Sequence, residues 1–416
     1  MARNSENSLQ IRHECPQCGS PITLLEDDRM FSCAYCRVKL FLAGGDYFRY
    51  YILPADDVRE EIRYVPYWRF KGLDYSIVPF EVTGRHVDQT ILALAHQSFP
   101  TNLGFRPQVL TLRFVSPDVP GMFLPSVMSV DDAFTLAQEL SASLEAPYTP
   151  LHRSFIGNTA SMIYAPVYEK DGAVHDAVLK TPLTACTPAI AQALAGPEAR
   201  SDWRVEFLST LCPECGWQLT GENGSAIFIC GNCVSVWEMS GKALKRVEFI
   251  VKPGKDKGIF YIPFWRIAAA SAGIVLETYA DFARAVNLPK AIQQDWEKQE
   301  LYFWLPAFKT RPDLFLRLAT LLTINQPQVV PNDERIWTGR EDFAPITLGA
   351  HEAAKGLMPV IAKMAPKKLY EVLPEVDLQL KSAALVLLPF RKSNEEFIEV
   401  DLNISIPRLA VAGTGI

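Results

Sequence analysis

The chain has 416 residues, which is longer than one hydrophobic core usually supports, so two or more domains are expected. Apolar residues make up 49% and charged residues 21%, a globular composition that excludes a disordered or fibrous chain. The formal charge of −6 disfavours a general nucleic-acid binder, which would carry a basic surface.

The N-terminal segment, MARNSENSLQIRHE, is polar. It lacks the apolar centre of a secretory signal, so a cytoplasmic protein is expected. Later apolar stretches such as SAALVLLPF are much shorter than the ~20 residues that a membrane helix needs. No transmembrane segment is therefore predicted, and peripheral association with a membrane stays open.

Eight of the nine cysteines fall into two identical patterns, C-x2-C-x14-C-x2-C. The two groups are Cys15, Cys18, Cys33 and Cys36, and then Cys212, Cys215, Cys230 and Cys233. Four thiolates at this spacing can converge on one tetrahedral Zn²⁺ and leave no open coordination position, so two structural zinc ions are predicted. Iron in the same ligand set is the chemical alternative. Disulfides between these residues would require an oxidising compartment.

The sequence between the paired cysteines predicts a β-hairpin in each group. PITLLEDDRMFS and WQLTGENGSAIFI each read as two short strands around a polar turn, at Asp27–Asp28 and at Asn223–Gly224. Cysteine pairs and hairpins together resemble the zinc-ribbon class, a small β fold, over residues 11–42 and 208–240. The resemblance implies metal binding and leaves the function open, because zinc ribbons recognise DNA, RNA and proteins alike.

Two further residues raise the question of extra metal ligands or reactive groups. His13, two residues before Cys15, is either a spare ligand, a donor to the site or, more simply, a surface histidine. Cys186 lies in PLTACTPAI, which offers no base or cation to activate a thiol, so a small buried apolar residue is expected there.

A shift of 197 residues that superposes the two cysteine patterns also aligns YVPYWRF, at 64–70, with YIPFWRI, at 261–267. Later, ASMIYAPVYEKDGAVHDAVL and AALVLLPFRKSNEEFIEVDL share an apolar strand, a proline, a polar turn and a returning strand. An internal duplication is therefore predicted, with zinc ribbons at 11–42 and 208–240 and larger domains at 43–196 and 241–416. The boundary between the halves is placed around Gly196–Asp202.

Each larger domain is predicted to be β-rich with helices, which gives an α+β fold overall. YSIVPFEVTGRHVDQTILALA predicts strands with a turn at its glycine. SVDDAFTLAQELSASLEA predicts a helix that begins at the capping pair Ser129 and Asp132. In the second half, DFARAVNLPKAIQQDWEKQEL, DLFLRLATLLTI and HEAAKGLMPVIAKM predict helices, the first of which Pro289 must end or kink.

The repeated aromatic–Pro–aromatic–Trp–Arg segment has two interpretations. In the first, Trp68 with Arg69 and Trp265 with Arg266 bind a partner, because a Trp face stacks on apolar groups and an Arg fork holds a carboxylate or phosphate. In the second, which the pattern favours, the aromatic residues are core positions of a strand and the Arg pairs with an acid. A ribbon followed by such a strand resembles uncharacterised bacterial zinc-ribbon proteins, some of which span membranes or accompany membrane-stress proteins.

The sequence contains no phosphate-binding loop, nucleophile elbow or H-E-x-x-H motif, so a non-catalytic function is predicted. A mean hydropathy of +0.05 with 11% aromatic residues favours a protein-interaction or scaffold protein within a larger assembly, because this apolar surface must be buried somewhere. A nucleic-acid-binding factor of the transcription or replication type is the alternative, using Arg12, Arg29, Arg37 and Lys39. The second ribbon weakens that alternative, since it has no Lys or Arg between its first and last cysteine. An enzyme with a cleft between domains is a third hypothesis.

Overall fold

The computed structural model describes residues 9–44, 46–94, 98–142, 149–196, 203–254, 258–329 and 341–411. Strands and helices alternate irregularly along the chain, which is a mixed α+β fold as predicted. In the part of the chain that the structure describes, no helix combines the length and apolar character needed to cross a membrane.

Two compact units interleave along the sequence. The first comprises Met1–Lys71, Val87–Ala146 and Thr159–Ser209. The second comprises Gly72–His86, Pro147–Asn158 and Thr210–Ile416. The predicted boundary at Gly196–Asp202 lies almost entirely outside the described residues, which resume at 203, and the four predicted domains stay a prediction.

The first half of the chain forms thirteen strands among its described residues. These are β1 (Gln10–Glu14), β2 (Pro21–Leu25), β3 (Met30–Ser32), β4 (Lys39–Ala43), β5 (Phe48–Ile52), β6 (Arg63–Val78), β7 (Glu81–Leu92), β8 (Thr111–Phe114), β9 (Met122–Phe123), β10 (His152–Lys170), β11 (Ala173–Asp176), β12 (Pro182–Ala185) and β13 (Glu206–Ser209). The helices between them are α1 (Arg106–Val109), α2 (Val130–Ala142) and α3 (Pro188–Leu194).

Within these described strands, ten belong to one sheet and three to another. In the larger sheet β12, β11, β10, β5, β8, β1 and β2 are neighbours in that order, and β6 pairs with β7, β9 and β10. The smaller sheet has the order β13, β4, β3. Residues 64–75 of β6 are buried without alternation, which is typical of a strand covered on both faces.

The second half of the chain forms ten more strands among its described residues. These are β14 (Leu219–Thr220), β15 (Ile227–Cys230), β16 (Val236–Ser240), β17 (Ala243–Arg246), β18 (Phe249–Val251), β19 (Ile259–Ala272), β20 (Phe303–Pro306), β21 (Asp377–Lys392), β22 (Glu396–Glu399) and β23 (Ser405–Pro407). The helices are α4 (Tyr279–Ala285), α5 (Pro312–Asn325), α6 (Ala350–Ala354), α7 (Leu357–Met364), α8 (Lys367–Tyr370) and α9 (Arg408–Val411), with 3-10 turns at Gln294–Glu297 and Leu373–Glu375.

These strands form two sheets. The strands β14 to β17 make an antiparallel sheet in chain order, and the other six make a sheet in the order β20, β19, β21, β22, β23, with β18 parallel to β21. Side chains alternate strictly along β19, since Trp265 and Ile267 join one apolar cluster and Ile262 and Phe264 the other. Both faces of this sheet are therefore covered, which explains why YIPFWRI is apolar throughout.

Most predicted elements of the larger domains are present. The helix α2 begins after Ser129, whose Oγ accepts a hydrogen bond from the Asp132 N–H at 3.1 Å, as the capping pair predicted. The helix α4 ends at Ala285, four residues before Pro289. The predicted helix over 351–364 is divided into α6 and α7 at Gly356.

The predicted turn at Gly84 is wrong, because Gly84 lies inside β7 and the chain turns at Pro79–Phe80. A Cβ added at Gly84 would lie 2.6 Å from the Tyr75 ring, so this glycine permits close packing of strands. Phe80 takes the left-handed conformation in the turn, with φ of 68°. The local sequence did not predict that conformation for an aromatic residue.

Candidate metal centres

The same backbone turn occurs four times, once at each cysteine pair. In every case the N–H of the residue four after the first cysteine donates to that cysteine's carbonyl, and the cysteine N–H donates to the carbonyl five residues on. The N···O distances lie between 2.7 and 3.0 Å. The residue four after the first cysteine has a positive φ in every turn. These residues are Gly19 (73°), Arg37 (62°), Gly216 (72°) and Val234 (58°). The turns thus bring both cysteines of each pair to one side of the backbone.

The four turns converge in pairs, so each predicted group of four thiols is brought together. Within each group all sulfur atoms lie within 4.8 Å of one another. The first cluster has Sγ–Sγ distances of 3.8 Å for Cys15–Cys36 and 3.8 Å for Cys18–Cys33. In the second cluster the corresponding distances are 3.6 and 3.4 Å. A tetrahedral ion with metal–sulfur bonds of ~2.3 Å would hold thiolates about 3.8 Å apart, so the residues fit such an ion.

Burial divides each cluster in the same way. The first cysteine of every pair is buried, and the second is exposed or, for Cys233, half-buried. In the first cluster the Ser20 hydroxyl, 3.4 Å from the Cys18 sulfur, and then the Ser20 N–H lower the pKa of Cys18 to about 6. Hydrogen bonds that lower a thiol pKa favour the thiolate, which is the form that binds metal.

In the second cluster a buried serine supports the thiols. Burial raises the pKa of Cys212, but hydrogen bonds from the Ser235 hydroxyl and from two backbone N–H groups lower it to about 6. The Ser235 Oγ lies 3.4 Å from the Cys212 sulfur and 3.0 Å from the Cys233 sulfur. The same oxygen accepts the indole N–H of Trp237 at 2.7 Å, which fixes the orientation of the hydroxyl.

We use first ribbon and second ribbon only as labels for residues 11–42 and 208–240. The first ribbon is attached to its unit by strand pairing and by buried charges. Its strand β1 pairs with β2 and, in parallel, with β8 of the larger sheet, and β4 pairs with β13. The turn between its cysteine pairs presents Glu26 to Arg69, and their side chains are 0% and 1% exposed. Arg69 also donates two hydrogen bonds to the two carboxylate oxygens of Asp88, each at 2.9 Å. The Lys71 Nζ lies 3.4 Å from the Asp27 carboxylate.

The second ribbon is attached by apolar packing and backbone hydrogen bonds. Ile227, Ile229 and Val236 belong to the main apolar cluster of its unit. The N–H groups of Ala226 and Ile227 both donate to the Ile346 carbonyl, at 2.8 and 3.3 Å. Its strands β14 and β15 form the predicted hairpin. The hairpin predicted for the first ribbon is wrong, because strands β2 and β3 form but lie in different sheets, where β2 pairs with β1 and β3 with β4.

The structure places the four candidate partner-binding residues inside the protein or at its edge. Trp68 and Trp265 are 2% and 1% exposed, and their indole N–H groups donate to the carbonyls of Met128 and Leu348. Arg69 is buried as described. Arg266 is half-buried, and its guanidinium lies 4.3 Å from the centre of the Tyr302 ring. These positions support the packing interpretation of the repeated segment.

The electrostatics of Arg69 explain how a charge persists in the interior. Burial lowers the pKa of its guanidinium, but Glu26 and Asp88 raise it by more, so the group stays protonated. The local sequence around Arg69 does not indicate which carboxylates would be its partners. The acidic run LLEDD between the cysteine pairs could have suggested Glu26 as a partner. No sequence pattern indicates Asp88, because only the pairing of the strands brings it close to Arg69.

Other candidate residues of the first ribbon lie in different places from those expected. His13 is half-buried between the rings of Phe207 and Phe114, at 5.2 and 5.5 Å, and burial lowers its pKa. Its location between two rings corrects the expectation of a surface histidine. Arg29 is also half-buried, with its guanidinium 5.2 Å from the Phe48 ring centre. Cys186, which lies outside both ribbons and was expected to be buried, is half-buried.

Exposed apolar side chains flank both metal centres. Tyr35, between Cys33 and Cys36, is 68% exposed. Leu211 and Trp217, which bracket the first cysteine pair of the second ribbon, are 52% and 61% exposed. Tyr and Trp are enriched at protein–protein interfaces relative to the rest of the surface.

Comparison of the chain with family models, with curated proteins and with solved structures finds no match.

Proposed function

We propose that this protein is a non-catalytic interaction or scaffold protein within a larger assembly, with one structural zinc ion in each ribbon. The main support is that an exposed aromatic side chain lies beside each four-thiol cluster in the sequence. Tyr35 lies between Cys33 and Cys36, and Trp217 lies two residues after Cys215. Four thiolates fill a tetrahedral site, which leaves no position for a substrate. The metal then acts by fixing the backbone that presents these side chains.

Zinc is the proposed metal because its chemistry suits the sites. Zn²⁺ has no redox activity and favours tetrahedral thiolate coordination, and the clusters come from two short turns of the kind that zinc ribbons use. The proposed location is cytoplasmic, a reducing compartment in which cysteines stay available as thiolate ligands.

Protein partners are favoured over nucleic acid by the composition of the ribbon surfaces. Of the four basic residues considered for nucleic-acid binding, Arg12 and Arg37 are exposed and Arg29 and Lys39 are half-buried. Aromatic side chains such as Tyr35 and Trp217 are the ones that dominate binding energy at protein interfaces.

We also propose that the chain arose by internal duplication. In each half a short strand runs parallel to a long one, β5 to β10 in the first half and β18 to β21 in the second. Each long strand is followed by two antiparallel strands, β11 and β12 after β10, and β22 and β23 after β21. A short helix follows in both halves. A buried carboxylate occupies the same place in both series. Asp176 accepts the N–H groups two and three residues later, and Glu399 does the same.

The decisive experiment is a pull-down of the tagged full-length protein from its source cells, with nuclease treatment and identification by mass spectrometry. Specific proteins that survive nuclease and are lost with Tyr35→Ala or Trp217→Ala are expected. Val275→Ala, which changes a valine that is 66% exposed and lies outside both ribbons, is the matched control and should retain them. Partners that disappear with nuclease would favour the nucleic-acid alternative, and partners insensitive to both ribbon variants would refute the proposed surface.

A further inference from the structure

The two thiol clusters differ at one position of an otherwise equivalent turn. In the second cysteine pair of each ribbon, the N–H of the first cysteine donates to the carbonyl five residues later, Cys33 to Val38 at 2.9 Å and Cys230 to Ser235 at 2.8 Å. Val38 and Ser235 therefore occupy the same place in the two turns. The first cluster has a half-buried apolar side chain there, and the second has a serine that is 1% exposed.

The contacts of Ser235 determine where its hydroxyl proton points. The Trp237 indole N–H, which can only donate, lies 2.7 Å from the Ser235 Oγ. The oxygen accepts that bond, so its own proton is directed elsewhere. The sulfur atoms of Cys233 and Cys212 lie 3.0 and 3.4 Å from the same oxygen. Because a metal-bound thiolate has no proton to give, the hydroxyl is the donor to these sulfurs.

A hydrogen bond from a buried hydroxyl stabilises the charge on a thiolate ligand. Four thiolates carry more negative charge than one divalent ion neutralises, so part of that charge stays in the site. In the interior, where water supplies few donors, a hydrogen bond to a charged group contributes more than it does at the surface. Loss of a hydrogen-bond partner of a metal ligand typically lowers metal affinity by about 10–100-fold. Ser235 supplies such a bond, and the Val38 side chain has no donor.

The hydroxyl beside the first cluster lies on the solvent side. The Ser20 Oγ is 3.4 Å from the sulfur of Cys18, which is exposed, so water competes for the same hydrogen bond. Cys18 and Cys36 are both exposed in the first cluster, whereas in the second Cys215 is exposed and Cys233 is half-buried. A competing ligand from solution therefore has easier access to the first cluster.

A carboxylate beside the second cluster does not cancel this difference. The Glu214 Oε2 lies 3.6 Å from the Cys233 sulfur, and a negative charge at this distance disfavours a thiolate. Glu214 forms an ion pair with Arg246, so its charge is compensated. This pair is solvated, with side chains 34% and 65% exposed, and water screens it, whereas the Ser235 hydroxyl is inside the protein.

We propose that the two metal sites are unequal, and that Ser235, oriented by Trp237, makes the second site the one that binds zinc more tightly and releases it more slowly. When zinc is scarce, the first ribbon then loses its ion before the second does. The inference rests on the proposed structural zinc ions. It adds that Tyr35 belongs to the ribbon that responds to metal supply, whereas Trp217 belongs to the ribbon that keeps its metal.

Stepwise removal of zinc from the full-length protein tests this proposal. The protein with both sites loaded is mixed with the chromogenic chelator 4-(2-pyridylazo)resorcinol, whose absorbance reports the zinc released. Two kinetic phases of equal amplitude are expected. Hydrogen exchange measured after the first phase should be faster across 11–42 and unchanged across 208–240.

Two variants and a matched control assign the slow phase to the serine. Ser235→Ala removes the donor and should make the slow phase at least tenfold faster, with the fast phase unchanged. Trp237→Phe keeps an aromatic ring but removes the N–H that orients the hydroxyl, so a smaller acceleration is expected. Ser240→Ala should leave both phases unchanged, because Ser240 is a half-buried serine of the same ribbon that has no contact with a cluster sulfur among the described hydrogen bonds. Zinc content and circular dichroism before mixing show that each variant is folded.

The possible outcomes separate this inference from the proposed function. A single phase, faster exchange first across 208–240, or an unchanged slow phase in Ser235→Ala would overturn the inequality and leave two structural zinc ions in place. Folded protein that contains no zinc would refute the proposed role of the metal, and the inference with it. The pull-down with Tyr35→Ala and Trp217→Ala tests the interaction function independently of the release rates.

Discussion

In the first ribbon the turn between the cysteine pairs carries Glu26 and Asp27, which bind the buried Arg69 and the nearby Lys71. The matching turn of the second ribbon carries Asn223 and Gly224, and its neighbour Ala226 donates its N–H to the Ile346 carbonyl. The metal clusters are alike in geometry, and strand pairing or other backbone hydrogen bonds attach both ribbons, but a buried ion network is added in the first ribbon and not in the described contacts of the second. A shared metal site therefore does not dictate how a ribbon is attached to its domain.

The repeated Trp–Arg pair shows the same divergence. Both tryptophans are buried and donate to a backbone carbonyl, so this part of the segment serves packing in each half. The arginines differ, because Arg69 sits between two carboxylates and Arg266 lies against the Tyr302 ring. An identical residue at equivalent positions can thus be the centre of a buried ion network in one half and an edge contact in the other.

The largest expected effect comes from removing one thiol from either cluster. Full-length protein should contain two metal equivalents, and Cys15→Ser or Cys212→Ser should each reduce this to one. The apparent binding free energy of a structural zinc site is roughly 10–16 kcal/mol and is coupled to folding, so each variant should unfold its own ribbon. Elemental analysis measures the metal, and hydrogen exchange locates the loss of structure.

The two variants should differ in how far the damage spreads. Cys15→Ser should raise exchange in β8 as well, because β8 pairs with β1, whereas Cys212→Ser should affect β14 to β17 first. Cys186→Ser is the matched control and should keep both metal equivalents, since Cys186 lies outside the clusters. Folded Cys15→Ser protein that has lost one metal equivalent but shows unchanged exchange would contradict the structural role of the metal in the first ribbon.

The second prediction compares the equivalent arginines. Arg69→Ala leaves Glu26 buried without its partner, and breaking a buried pair from one side costs about 3–5 kcal/mol of stability. Arg266→Ala removes a cation–π contact at a half-buried site, which is worth about 1 kcal/mol. Urea unfolding of the full-length protein measures the loss of stability in both variants, and hydrogen exchange shows in which unit the loss occurs. Equal losses in the two variants would show that the buried ion network does not anchor the first ribbon.

Local patterns predicted much of this architecture. Metal-ligand spacing is a property of short turns, so the cysteine pattern alone indicated which sulfurs would meet, and the capping residues at Ser129 located α2. Features that depend on distant residues were not predicted. Asp88 reaches Arg69 across strands, Gly84 is needed for contact with Tyr75, and β2 and β3 pair with outer strands that the inter-cysteine sequence does not contain.

The third prediction concerns the apolar attachment of the second ribbon. Ile229 is 1% exposed within the main cluster of its unit, so Ile229→Ala should destabilise that unit by roughly 2–5 kcal/mol. The residue 197 positions earlier, Ser32, is exposed, and Ser32→Ala should change stability by less than about 0.5 kcal/mol. Thermal unfolding monitored by tryptophan fluorescence would measure both variants. A small loss for Ile229→Ala would mean that hydrogen bonds to Ile346 are sufficient to hold the ribbon.

The smallest effect is expected at the residues with positive φ in the cysteine turns. Arg37 is exposed with φ of 62°, where a non-glycine residue costs about 1 kcal/mol, so Arg37→Gly should raise stability by about 0.5–1 kcal/mol. Gly19→Ala should lower it by a similar amount, because φ is 73° there and an added Cβ meets no other atom within 4 Å.

The stability change of Val234→Gly in the second ribbon should differ from that of Arg37→Gly in the first. Val234 has φ of 58°, so glycine relieves the same backbone strain, but the valine also packs against the main apolar cluster of its unit. Loss of that packing should offset the gain, and the net change in urea midpoint should be close to zero while that of Arg37→Gly is positive. A clear stabilisation by Val234→Gly would show that its side chain contributes little to holding the second ribbon, and that the backbone bonds to Ile346 carry most of the attachment.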